Sequence, residues 1–216
     1  MDKTLLSGER PQTYREEIAN SLTHGIALVA VLVASPFLII HAYNSGDSFE
    51  IVGASIFSAT MVIVYLTSTL YHSMPFGRAK HVLRVIDHGA IFLLIAGTYT
   101  PFTLGAMRGE WGIILLVLEW ILAISGILLK AFTGVRYRKL SISLYLVMGW
   151  LVVIAIRPFI ESITIQGIFW VLAGGFAYTF GIPFYAAKDR KYTHLVWHLF
   201  VILGTVCHFI AVMWYA

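Results

Sequence analysis

The chain has 216 residues, 59% of them hydrophobic and only 12% charged, with a mean hydropathy of +0.82. A soluble domain of this length carries roughly twice that charged fraction, so the composition excludes one and predicts a polytopic membrane protein. A single cysteine, Cys207, excludes an intramolecular disulfide and a cysteine-rich metal cluster.

Residues 1–19 (MDKTLLSGERPQTYREEIA) are polar and mixed in charge. They lack the apolar core and small-residue cleavage site of a signal peptide and read as a cytoplasmic N-terminal segment. Residues 20–216 read as one all-α transmembrane domain, a seven-helix bundle. Its spans are predicted near 20–43, 51–72, 82–105, 111–130, 140–157, 165–186 and 192–214. The breaks are NSGDS, MPFGRAK, MRGE, VRYRK, RPFIE and KDRK, and the fifth span is the shortest. Pro36, Pro101 and Pro183 fall inside spans and are expected to kink them. Trp111, Trp150 and the Trp214–Tyr215 pair are expected to anchor span ends at the interface. Gly174 and Gly175 are expected to allow close helix contact.

Charge placement sets an orientation. Lys3, Arg10 and Arg15 precede the first span. Arg78, Lys80 and Arg84 flank the second loop, Lys130, Arg136, Arg138 and Lys139 the fourth, and Lys188, Arg190 and Lys191 the sixth. Only Arg108 and Arg157 fall on the other side, so thirteen of fifteen basic residues share one side. The positive-inside rule assigns that side to the cytoplasm, with the N-terminus inside and the C-terminus outside. Topology thus accounts for the net charge of +4, and a nucleic-acid partner is not expected.

With orientation fixed, polar residues inside the spans can be compared by depth. The last span carries His194 and His198 four residues apart, on one helical face. Ser68 and His72 share a face at the inner end of span two, and Asp87 and His88 lie early in span three. At 1.5 Å rise per residue, His72, Asp87, His194 and His198 fall roughly 3–9 Å beneath the inner boundary. Ionisable groups inside a bilayer are costly and mark function by default. Three imidazoles with a nearby carboxylate point to zinc, since three protein ligands leave one position open. His72, His194 and His198 are the expected ligands. Asp87 is placed to bind the water such a site holds or to orient a ligand. Ser68 is placed to hydrogen-bond that water or a substrate carbonyl. His24, on span one, is a reserve ligand. His208 lies about 15 Å further along its helix and reads as a packing residue, while His41 and His81 sit at the interfaces. Tyr99, Thr100 and Pro101 are expected to serve packing.

These residues also carry a resemblance that covers nearly the whole chain. EEIANSLTHG (Glu16–Gly25), STLYH (Ser68–His72), DHGAIFLLIAGTYTPF (Asp87–Phe102) and HLVWH with a later HF (His194–His198, His208–Phe209) resemble the bacterial hemolysin III proteins. That family belongs to the progestin and adipoQ receptor superfamily. The resemblance implies seven helices and a zinc ion near the cytoplasmic side, held by residues matching His72, His194 and His198. It places the aspartate matching Asp87 beside the water on that zinc, with the serine matching Ser68 close by. Glu17, Asn20 and His24 match a motif of bacterial members to which no role is attached. Adiponectin receptors have been linked to ceramide hydrolysis, and alkaline ceramidases share the pattern. The hemolysin name reflects reported lysis of red cells. The N-terminal segment is shorter than in the animal receptors, so hormone binding is not carried over.

The first expectation is therefore a multi-pass cell-membrane protein that hydrolyses a lipid amide or ester with zinc, taking an acyl chain from the bilayer. A cytolysin that permeabilises membranes is the second. A zinc-stabilised regulator of membrane lipid state, without turnover, is the third.

Overall fold

The computed structural model describes residues 10–187 and 189–216. Lys3 and Lys188, two of the basic residues used for orientation, lie outside them, as do the first nine residues of the N-terminal segment. The described residues form eight α-helices and no strand. The helices are α1 (Tyr14–Ser45), α2 (Ser48–Ser73), α3 (Arg78–Leu104), α4 (Glu110–Thr133), α5 (Arg138–Gly149), α6 (Ile156–Ser162), α7 (Ile165–Ala186) and α8 (Thr193–Tyr215). A 3₁₀ turn, Leu151–Ala155, joins α5 to α6 into one span, giving seven segments long and apolar enough to cross a membrane.

Local chemistry explains where the helices begin and break. α1 starts at Tyr14, six residues before the expected span, because Thr13 caps it. The Thr13 side chain accepts from the Glu16 amide, and Glu16 accepts from the Thr13 amide at 2.9 Å, a reciprocal capping box. Residues 14–19, expected in a polar cytoplasmic segment, are therefore helical. α1 ends at Gly46, whose φ of +78° favours glycine. Asp47 then caps α2 by accepting from Phe49 N at 2.8 Å, and Arg108 pairs with it at 2.6 Å. That pair ties the first and third loops together at one end of the bundle.

The fifth span runs to Ser162 rather than to residue 157, and it is broken in the middle. Gly149 weakens the helix there, and the freed backbone groups need partners. The Tyr99 hydroxyl supplies them, donating to Gly149 O at 3.2 Å and accepting from Val152 N at 3.0 Å. Tyr99 thus patches a break on another helix, which a packing role does not convey. The longer span also moves Trp150 from the interface to the interior, where its indole donates to Thr179 at 3.0 Å. Trp111 and Trp214 remain exposed, and all three prolines lie inside helices as expected.

Consecutive helices α1–α4 pack side by side, α7 packs on α8, and α1 meets α8. The fifth span touches α3, α4 and α7 and so closes the ring. Large apolar side chains such as Leu32, Phe37, Ile121 and Leu203 point outward, as lipid requires, and small residues set the helix contacts. A Cβ on Gly97 would lie 2.2 Å from Thr60 Oγ1, and one on Gly174 2.3 Å from the His208 ring. Gly175 has its nearest neighbour at 3.7 Å, so only Gly174 of the expected pair sets the approach. Gly97→Leu is expected to lower stability by about 1–3 kcal/mol through overpacking of α2 on α3. Thermal unfolding in detergent checks this, and an unchanged midpoint would contradict the close contact.

Candidate metal centre

Three helix ends meet on one side of the bundle. The last turns of α2 bury Ser68 and His72, at 1% and 3% exposure. The first turns of α8 present His194, half-buried, and His198, at 2% exposure. Asp87 sits on the buried face of α3. The i, i+4 spacing within α2 and α8 aims each pair inward from one face.

The three expected ligands converge. One ring nitrogen from each of His72, His194 and His198 lies within 4.8 Å of the others. Nε2 of His72 and Nε2 of His194 are 3.2 Å apart. Two ligands on one tetrahedral ion at about 2.0–2.1 Å would stand about 3.3 Å from each other. The His72 tautomer fits as well. Its Nδ1 is 2.7 Å from Glu17 Oε2, and a carboxylate only accepts, so Nδ1 carries a hydrogen and Nε2 is the nitrogen turned toward His194. His198 Nδ1 is buried and makes no well-formed hydrogen bond among the described residues. A cluster of three imidazoles with these spacings can hold a metal ion.

The remaining candidates line one cavity of about 100 Å³. One end holds His194, His198, Asp87, Ser68 and His24, its walls are mostly apolar, and Trp150, Thr179 and His208 reach its far end. Asp87 contacts His88, with Oδ2 to Nδ1 at 3.4 Å, while the same nitrogen donates to Arg84 O at 2.7 Å. The Ser68 hydroxyl is 2.7 Å from His24 Nδ1. His24 stacks flat on His198, with centroids 3.5 Å apart, and does not join the ligand group. It holds Ser68 and supports a ligand ring instead. His208 donates Nε2–H to Val171 O at 3.0 Å, a packing role, and His41 and His81 are exposed.

A family model described as haemolysin-III related matches residues 12–209. The chain belongs to the haemolysin III-related family. Among relatives of this haemolysin III-related protein, a hemolysin-3 homolog of Bacillus subtilis is 45% identical over 203 residues, covering 94% of this chain and 95% of that protein. Hemolysin-3 of Bacillus cereus is 42% identical over 204 residues, covering 94% and 93%. The human monocyte to macrophage differentiation factor is 24% identical over 221 residues, covering 97% and 88%. The resemblance to this family therefore holds over residues 12–209.

In this family member, Glu17, named in the sequence only within a motif without a role, and Lys80, read only as a loop charge, both stand beside the site. Glu17 is 8% exposed and Lys80 6%, although both occur in stretches that read as loop or polar segment. A signal was available. Glu17, Asn20, His24, Ala27 and Val31 recur at helical spacing and form the buried stripe of α1. Asn20 belongs to that stripe and donates to Gln12 at 2.6 Å, fastening the segment that precedes the helix.

Proposed function

We propose that this protein is a zinc-dependent hydrolase of lipid amides or esters, with zinc held by His72, His194 and His198. The observation that carries the reading is the meeting of three histidine nitrogens within 4.8 Å, with two of the three histidines, His194 and His198, lining a largely apolar cavity. Bound zinc would supply Lewis acidity and a water ionised near neutral pH.

The chain's own groups then have distinct tasks. The apolar walls, including Leu94, Ile142 and Val201, take the acyl chain from the bilayer and exclude water. Asp87 accepts a proton from the attacking water as its oxygen bonds to the acyl carbon, and returns that proton to the leaving nitrogen or oxygen as the old bond breaks. Ser68, fixed by His24, steadies the carbonyl. The basic loops put the N-terminus and the metal centre on the cytoplasmic side of the cell membrane. Membrane lipids are the proposed partners.

The test is direct. Purified, zinc-loaded protein in liposomes is expected to release fatty acid from at least one member of a panel of ceramides and phospholipids. A panel left wholly intact would contradict the hydrolase reading. Dye release from the same liposomes measures permeabilisation separately, so lysis and hydrolysis are told apart.

A further inference from the structure

Two adjacent carboxylates at the start of α1 reach the two helices that carry the metal ligands. Glu17 accepts from His72 Nδ1 at 2.7 Å through Oε2 and from Lys80 Nζ at 3.1 Å through Oε1. Lys80 also donates to Tyr71 O at 3.0 Å, in the last turn of α2, and to Met74 O at 3.1 Å, just past its end. The ion pair is thus anchored to the same helix end that carries His72. The neighbouring Glu16, at 2% exposure, accepts from Tyr192 N at 2.8 Å. Tyr192 is the residue before α8 and has φ +61°, the one positive φ outside glycine among the described residues. That conformation is disfavoured for a residue other than glycine and persists only where its surroundings fix it. Arg10 pairs with Glu16 at 2.6 Å and holds the carboxylate toward α8.

We infer that Glu16 and Glu17 are positioning residues for the metal centre, resting on the metal reading of the triad. Glu17, steadied by Lys80, fixes the Nδ1–H tautomer and ring orientation of His72. Glu16 fixes the turn from which α8 delivers His194 and His198. A carboxylate behind a ligating histidine holds its tautomer and raises its basicity, and losing it costs about 10–100-fold in metal affinity. Burial of an ion pair between α1 and α3 adds little stability on its own, which leaves geometry as the gain.

The experiment uses the full-length protein in detergent, labelled with ¹⁵N-histidine, with His72 assigned from a His72→Gln spectrum. In metal-free wild type, His72 is expected as a single Nδ1–H tautomer with a strongly hydrogen-bonded proton. Glu17→Ala should give a tautomer mixture and weaken Co²⁺ or Zn²⁺ binding about 10–100-fold in chelator competition. Glu17→Gln keeps shape and an accepting oxygen, so it should keep the tautomer while its Nδ1 proton moves upfield. Glu16→Ala should weaken metal binding without changing the His72 tautomer. A folded Glu17→Gln with an unmoved Nδ1 proton, or a folded Glu17→Ala with the wild-type tautomer, would overturn the role of Glu17. Unchanged metal affinity in Glu16→Ala would overturn that of Glu16. Wild type that takes up neither metal would sink the metal reading and with it positioning for a metal, while the tautomer spectra still show whether Glu17 sets the state of His72.

Discussion

Replacing His194 with alanine is expected to empty the metal centre, taking purified protein from about one metal ion per chain to nearly none. The geometry sets the size of this effect. His194 Nε2 stands 3.2 Å from His72 Nε2, so its loss leaves two imidazoles on different helices and opens half of the site. Two protein ligands do not make either the closed or the open arrangement in which zinc is usually held. His72 and His198 keep their own supports in this variant, namely Glu17 and the stacked His24. The fold is therefore expected to survive, and elemental analysis beside a thermal melt measures both. Binding to the folded state alone also stabilises it, so the wild type should lose melting temperature on chelation and the variant should not. A folded variant that retains a full equivalent of metal would place the ion elsewhere.

Asp87→Asn is expected to lower lipid hydrolysis about 10²–10⁴-fold while leaving the metal content at wild type. Asp87 lines the cavity with His194 and His198 but is not one of the three converging ligands. Asparagine keeps its size and hydrogen-bonding oxygen and removes only the ability to take a proton. Rate and metal content should therefore separate in this variant, where they fall together in His194→Ala. Equal loss of both would make Asp87 a ligand or an organiser of the ligands, and no loss of rate would remove it from proton transfer.

Much of this architecture was legible in the chain because lipid imposes simple rules. Seven apolar runs, bounded by charged breaks, correspond to seven spans, with differences at their ends and one internal break in the fifth. Those differences have local causes. The Thr13–Glu16 capping box extends α1 into residues whose polarity reads as a loop, and hydropathy does not register a cap. The fifth span was short in sequence because a charged pair, Arg157 and Glu161, lies within its last turns, where both are exposed and paired at 2.9 Å. Its internal break is repaired by Tyr99 from α3, a tertiary contact that no local pattern encodes. At the site, helical spacing and charge placement together marked His72, His194 and His198 as neighbours in depth, and the structure brings them together. Their lateral convergence, and the arrival of Glu17 and Lys80 behind His72, depend on how α1, α2, α3 and α8 are arranged around one another. Span depth carries no information on that arrangement. The pairing of Ser68 with His24 is hidden for the same reason, since the two residues are 44 positions apart.

Zinc K-edge X-ray absorption on the purified wild type tests the central claim most directly, because it reads the metal and its neighbours at once. The expected spectrum has three imidazole nitrogens and one further light atom at about 2.0–2.1 Å. A folded protein without zinc, or with zinc in a shell lacking imidazole scattering, would contradict the assignment of His72, His194 and His198.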